Sequence, residues 1–346
     1  MKKIVVIGGG TGTYTVLRGL KKYPDIDISA VVTMADDGGS NKVLRDEFGL
    51  LPTSGVRQCM VALSENEGLL RKLFSYRYYQ GVGISGMTFG NLFMAAVSDI
   101  TGSQRDAIKQ TAELLDVRGK ILPVSYETVS LLATYADGTE VLGEHGIDVG
   151  KGTSGRERIT SFRTIPQVEV DPEAKKAIQE ADLIVLGPGD LYTNTVANLV
   201  ISGVVEAINK SYAKLAFVMN VMTKSGESYG YKASDYLNDL GKYLPLTRLT
   251  HVIVNTDRTI DPKVAKAYQK EGSEWVTDDL VSSEITKHKF PACAGRSNSQ
   301  INFEVIREKL LAKGKVRKEK GDNLVRSMVR HDSDKLAKVL VDIVTY

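Results

Sequence analysis

Twice in this chain a short β-branched or leucine-rich run stops at a glycine turn and gives way to a helical pattern. Ile4 to Ile7 (IVVI) runs into Gly8-Gly9-Gly10-Thr11-Gly12, and Leu183 to Leu186 (LIVL) runs into Gly187-Pro188-Gly189-Asp190. Strand, glycine turn and helix in that order form the anion-cradling unit of a parallel sheet. The glycines let the backbone approach a phosphate, and the helix N-terminus offers unpaired N–H donors. Two such turns in one sheet are able to close on the two ends of a single ligand. Helices are expected over Tyr14 to Lys22 and from about Thr193. Further buried-strand runs occur at Ile28 to Thr33, Lys120 to Val124, Leu215 to Met219 and His251 to Val254.

Thr33 to Ser40 (TMADDGGS) passes from a strand end into an acidic glycine turn. In an open α/β sheet, ligands bind outside the carboxyl ends of the strands. Asp36 and Asp37 are therefore candidate site residues, and their oxygens suit Mg²⁺. Reading from Gly8, position 13 is threonine where a dinucleotide fingerprint carries glycine or alanine. The second strand ends without a ribose-binding acid, and no Walker A lysine follows the first turn. A phosphate-bearing ligand is expected, and NAD is not. The groups expected around it are Gly9, Gly10, Thr11, Gly12, Gly187 and Gly189. Arg45 and Arg57 read either as surface ion pairs or as phosphate contacts.

Gly83 to Val97 supplies another glycine-punctuated helix start at Asn91, which either faces the ligand or caps its own helix. Asn220 and Asn255 follow two more strand ends, where an amide reads a base or sugar edge or satisfies a turn. Thr128 to Tyr135 and Thr139 to Leu142 read as a β-hairpin around Asp137-Gly138. Gly143 to Arg158 holds no periodicity and reads as a long surface loop, or as the seam between the nucleotide-type half and a second segment, with a solvated His145. A strand near Thr164 to Val170, helices from Pro172, Ser234, Pro262 and Ser333, and a short strand at Glu274 to Thr277 complete the pattern. Arg307 to Lys320 reads as a solvated basic helix and turn.

The 346 residues suffice for a full core, and 42% apolar and 25% charged residues with 32 glycines describe a globular protein with many tight loops. A net charge of +3, with acids and bases interspersed, gives no support to a nucleic-acid partner. Cys59 and Cys293 lack CxxC spacing, which argues against a disulfide framework or zinc site. No run reaches membrane-span length, and Ile4 to Ile7 is too short for a secretory core, so a cytoplasmic location without membrane insertion is expected.

GGGTG at 8–12, TMADDGGS at 33–40, LLP with VRQC and AL within 50–63, FGN at 89–91, LGPGDLYT at 186–193, NVMTKSGES at 220–228, AYQKEGS at 267–273 and VRHDSDKLA at 329–337 form a combination. Together they resemble the YvcK-like gluconeogenesis factors of the CofD-like superfamily, whose other branch comprises 2-phospho-L-lactate transferases. The resemblance spans nearly the whole chain. It implies one Rossmann-like α/β domain over 1–346, with a mostly parallel sheet, helices on both faces and a small β-hairpin insertion. Within it lie an N-terminal nucleotide-type half at 1–142, a loop at 143–162 and a C-terminal half at 163–346.

For function, the resemblance implies a cytoplasmic protein that binds a UDP-sugar such as UDP-N-acetylglucosamine. Such a protein serves cell shape and wall synthesis on gluconeogenic carbon sources, with cell-wall synthesis proteins as partners and a homodimer as an admissible state. No reaction is attached to this branch. Tyr268 in AYQKEGS and Arg330 in VRHD match the family's UDP-sugar pair. In the transferase branch the acidic pair, here Asp36 and Asp37, is associated with a divalent metal, so a Mg-dependent phosphotransferase is the alternative. Two positions depart from the family pattern: Asn41-Lys42 replace a usual Ser and Gly, and Gly86-Met87-Thr88 replace a GHS-like segment. Met87 leaves no imidazole for proton transfer there.

Overall fold

The computed structural model describes residues 1–66, 68–150, 157–280, 286–288, 301–313 and 328–346. Its strands are β1 (Lys2–Gly8), β2 (Ile26–Val32), β3 (Lys120–Pro123), β4 (Ser130–Tyr135), β5 (Glu140–Leu142), β6 (Ile159–Ile165), β7 (Leu183–Leu186), β8 (Lys214–Val218), β9 (His251–Asn255), β10 (Thr286–His288) and β11 (Ile301–Glu308). Its helices are α1 (Gly10–Leu20), α2 (Gly39–Phe48), α3 (Ser54–Leu63), α4 (Leu69–Ser75), α5 (Phe89–Thr101), α6 (Gln104–Leu114), α7 (Glu144–Asp148), α8 (Pro172–Gln179), α9 (Ala197–Leu199), α10 (Val204–Lys210), α11 (Ala233–Leu240), α12 (Pro262–Lys270) and α13 (Ser333–Thr345). A π-helical segment, Leu191–Val196, leads into α9.

Among the described residues the main sheet has eight strands, in the order β10-β11-β9-β8-β7-β1-β2-β3. All neighbours pair in parallel except β10 with β11. Alternate side chains of each central strand serve opposite faces, as the pleat requires. Val5, Ile7, Ile184, Leu186, Leu215, Phe217, Val252 and Val254 join one core with α8, α10 and α11. Ile4, Val6, Leu183, Val185, Ala216, Val218 and Ile253 join the other with α1, α3 and α13. Continuous apolar runs therefore mark strands covered on both faces, the Rossmann-like arrangement expected. No helix among the described residues is long and apolar enough to cross a membrane.

Several expectations need correction. The hairpin of β4 and β5 gains a third strand, β6, forming an antiparallel sheet in the order β5-β4-β6. That strand ends at Ile165, earlier than the Thr164 to Val170 expectation. The 143–162 segment is not a plain loop, since it contains α7 and the start of β6. Glu274 to Thr277 makes only isolated bridges, Met222 with Trp275 and Lys232 with Thr277. The expected basic helix begins instead within β11, which pairs in parallel with β9; residues 314–320 lie outside the described residues, as does Cys293. Glu304, Arg307 and Glu308 masked the strand, although Phe303 is buried and Val305 and Ile306 pack on the two opposite cores.

The helices end as their sequences dictate. Asp332 caps α13 by accepting from the N–H groups of Asp334 and Lys335 at 3.0 and 3.1 Å. That helix lies against α1 at Gly19, where an added Cβ would stand 2.0 Å from the Ser333 carbonyl oxygen and 2.8 Å from the Ala337 Cβ. Backbone cannot yield as a flexible side chain does. Gly19→Ala is therefore expected to destabilise the protein by about 1–3 kcal/mol, read as a lowered urea midpoint with unchanged slope.

Candidate functional site

The strand order reverses beside β1: the chain steps outward through β2 and β3 on one side and through β7, β8, β9 and β11 on the other. This is the topological switch point where α/β sheets open a binding crevice. The two glycine turns leave adjacent strands there and meet. The Gly187 N–H donates to the Ile7 carbonyl at 3.2 Å. A Cβ on Gly12 would stand 1.8 Å from the Pro188 carbonyl oxygen, and one on Gly9 would stand 2.4 Å from Asn194 Oδ1. Gly10 and Gly187 take φ of +63° and +70°, a region that favours glycine. Gly189 sits against the Gly9 carbonyl, and Thr11 serves α1 by accepting from the Thr15 hydroxyl at 2.9 Å.

The two helix starts differ in how their donors are used. Gly9 precedes α1 in extended conformation, and no side chain among the described residues caps that helix. At the second turn, the N–H groups of Tyr192 and Thr193 donate to Glu227 Oε2 at 2.9 and 3.5 Å, and the Thr193 hydroxyl donates to Oε1 at 2.6 Å. A buried carboxylate of the chain thus fills the anion position of the second turn. Asn220 Nδ2 pins the same turn by donating to the Gly189 carbonyl at 2.7 Å.

Lys224 lies beside this anchor, its ammonium donating to Asp190 Oδ2 at 2.7 Å and to Asp148. Carboxylate oxygens of Asp148, Asp190 and Glu227 all fall within 4.8 Å of one another, an oxygen donor set of the kind a hard cation takes. Burial opposes the charge of Lys224, but Asp190, Asp148 and Glu227 outweigh it and hold its pKa above the ordinary lysine value. Burial, with Asp190 next, raises the Glu227 carboxyl; burial, with Asp36 and Asp148 next, raises that of Glu144.

The acidic turn after β2 organises its surroundings. Asp36 accepts from the Gly38 N–H at 2.9 Å and from Asn41 Nδ2 at 2.7 Å. Asn41 joins Ser54, and Asn91 Nδ2 donates to Asn41 Oδ1 at 3.2 Å. Asn91 is thus a buried network residue, while Thr88 caps its helix. Arg57 belongs to the same interior, donating to Asn91 Oδ1 at 3.0 Å and to the Phe74 carbonyl at 3.2 Å, so it is not a surface ion pair. Arg45 does make one, with Asp46 at 3.1 Å. Asp37 accepts the His145 N–H at 2.9 Å and thereby holds α7. For Mg²⁺, Asp36 and Asp37 offer suitable oxygens, but these are already shared with N–H donors on different elements.

Asn255 spends its amide on the fold: Nδ2 donates to the Asp257 carbonyl at 2.7 Å, and Oδ1 accepts from the N–H groups of Asp257 and Leu310 at 3.1 and 2.9 Å. Tyr268 and Arg330 share one corner, where the Tyr268 hydroxyl accepts the Val329 N–H at 3.2 Å and the Arg330 carbonyl accepts from Ala312. Tyr268 and Val329 pack there with Val221 and Leu311, just past the end of β8. The structure therefore gathers the glycine turns, Asp36, Asp37 and Asn220 at the switch point, with Tyr268 and Arg330 further along the same edge of the sheet. Sequence reasoning missed Glu144, Asp148, Asn194, Lys224 and Glu227; the only signal was their position in polar segments after strand ends.

This is a Rossmann-like α/β protein with an anion-type glycine turn at its switch point. The chain belongs to the CofD family: residues 4–296 match the family model described as 2-phospho-L-lactate transferase CofD. It is 35% identical over 341 residues to the gluconeogenesis factor of Bacillus subtilis, covering 99% of this chain and 98% of that one. The gluconeogenesis factor of Halalkalibacterium halodurans is 41% identical over 278 residues, covering 80% and 84%. A crystal structure of an upf0052 family protein from Bacillus halodurans superposes with a TM-score of 0.83 at 35% identity, covering 99% of this chain and 100% of that one.

Glu144 keeps its proton to higher pH in the folded protein than in the unfolded chain, so it costs stability as pH rises above its ordinary value of 4.5. Glu144→Gln removes that cost. The variant is expected to match the parent near pH 4 and to melt at least about 2 °C higher near pH 8, measured by scanning calorimetry.

Proposed function

We propose that this chain is a nucleotide-sugar binding regulatory protein of the gluconeogenesis factor type. Its ligand is a UDP-sugar, UDP-N-acetylglucosamine first among them, and its role is to adjust cell shape and wall synthesis to gluconeogenic growth in the cytoplasm. The observation that carries this reading is the start of α1, a helix N-terminus without a side-chain cap at the switch point, reached by a turn that glycine alone can form. A diphosphate suits that position. Tyr268 and Arg330, beyond the end of β8, lie on the side from which an extended ligand would be held at its other end. Asn220 contributes by fixing the second turn. Wall-synthesis proteins, and a second copy of the chain, are the partners this role calls for.

Titration calorimetry with UDP-N-acetylglucosamine tests the reading. Binding is expected, with Arg330→Ala weakening it by at least about tenfold, roughly 1.4 kcal/mol. Arg45→Ala, a half-buried residue with its charge beside Asp46, is expected to bind as the parent does. Absence of binding, or an unchanged affinity in Arg330→Ala, overturns the assignment.

A further inference from the structure

Helix α7 is tied across the edge of the switch-point crevice at both ends. Near its start the His145 N–H rests on Asp37 at 2.9 Å, and at its end Asp148 rests on the Lys224 ammonium. Gly143 before it and Gly150 after it take φ of +96° and +64°. Only one of its side chains is fully buried, Ile147, and the backbone of Ile147 and Asp148 lies against Gly226, where an added Cβ would meet both carbonyl oxygens at 2.8 and 3.1 Å. The helix is thus a short strap whose charged tie is Lys224.

That tie leads directly to the first glycine turn. Lys224 Nζ holds Asp190 at 2.7 Å, Asp190 accepts from Asn194 Nδ2 at 3.2 Å, and Asn194 Oδ1 covers Gly9. A diphosphate seated at the α1 N-terminus brings new negative charge beside Asp190, and the Lys224 ammonium held on Asp190 is a cation that can turn to meet it. Once Lys224 turns to the phosphate, Asp148 faces Asp190 and Glu227 within 4.8 Å with no other counter-charge among the described residues. Like charges at that separation repel, and the strap loses its charged C-terminal tie while Ile147 and the His145–Asp37 contact remain.

We propose that Lys224 is a phosphate-sensing residue of this site, and that a nucleotide diphosphate which takes its ammonium from Asp148 releases α7 and so signals occupancy. The inference rests on the ligand reading above, with α7 as the output of a regulatory binding protein. Hydrogen–deuterium exchange of the full chain is followed at amides 145–149, free, with UDP-N-acetylglucosamine, and with millimolar pyrophosphate, alongside calorimetry. Ligand is expected to speed exchange there by at least about tenfold. Asp148→Asn is expected to exchange quickly without ligand and to bind several-fold more tightly, because the phosphate no longer competes with a carboxylate. Lys224→Met is expected to bind at least about tenfold more weakly.

Measured binding with unchanged or slowed exchange overturns the inference, as does a parental affinity in Asp148→Asn, a variant that keeps shape and is expected to fold. Binding of pyrophosphate with faster exchange, while the UDP-sugar fails to bind, upholds the sensor and overturns the UDP-sugar reading. Failure of both to bind overturns both.

Discussion

The contact between the two glycine turns is the constraint on which the rest of this structure depends. Gly12 lies against the Pro188 carbonyl so closely that no side chain fits, and Gly9 is covered by Asn194. Because β1 and β7 are neighbours in the sheet, their turns must share one small space, and only missing Cβ atoms let them do so. Asn198 fastens the arrangement from below by donating to the Gly8 carbonyl at 3.3 Å. The start of α1, the π-helical segment and the loop carrying Lys224 and Glu227 all take their positions from this seam.

From that seam follows an asymmetry of charge. Both turns present helix N-termini, which attract anions. Among the described residues, the chain fills the second with Glu227 and leaves the first without a side-chain cap, so the second turn is occupied by the fold itself and the first is the one the proposed ligand would use. The equivalence that the sequence suggests between IVVIGGGTG and LIVLGPGD is therefore one of shape and not of role. A buried carboxylate is tolerable at the second turn because two N–H groups and a hydroxyl meet it, and because Lys224 stands beside it.

The main sheet was legible because its central strands are covered on both faces and so read as unbroken Ile, Val and Leu runs. β11 was not, since Glu304, Arg307 and Glu308 break the pattern in a strand whose charged groups reach water or partners, Arg307 pairing with Asp278 at 2.6 Å. α7 was hidden for a different reason: five residues are too few to show a period, and it is held by Asp37 and Lys224 rather than by its own propensity. The glycine turns, Asp36 and Asp37 could be found as strand-end residues. Glu227 could not be assigned, because its meaning lies in contacts with Tyr192 and Thr193, more than thirty residues earlier in the chain.

The acidic pair shows how position and role separate. Asp36 is bound to Asn41, and through Asn41 to Ser54 and Asn91, so the residue that departs from the family pattern at position 41 ties the acidic turn into a buried amide network. Asp37 instead reaches outward to α7. Asp148 and Asp190 also lie close by, whereas burial pushes the Glu144 and Glu227 carboxyls up and mutes their charge, so a small anion at the α1 N-terminus would meet repulsion chiefly from the aspartates. An extended ligand of the proposed class would escape part of that opposition if its far end made the contacts proposed at Tyr268 and Arg330, away from these aspartates. On the proposed reading, acidic surroundings would thus favour a long ligand over a short one and set recognition by length beside recognition by charge.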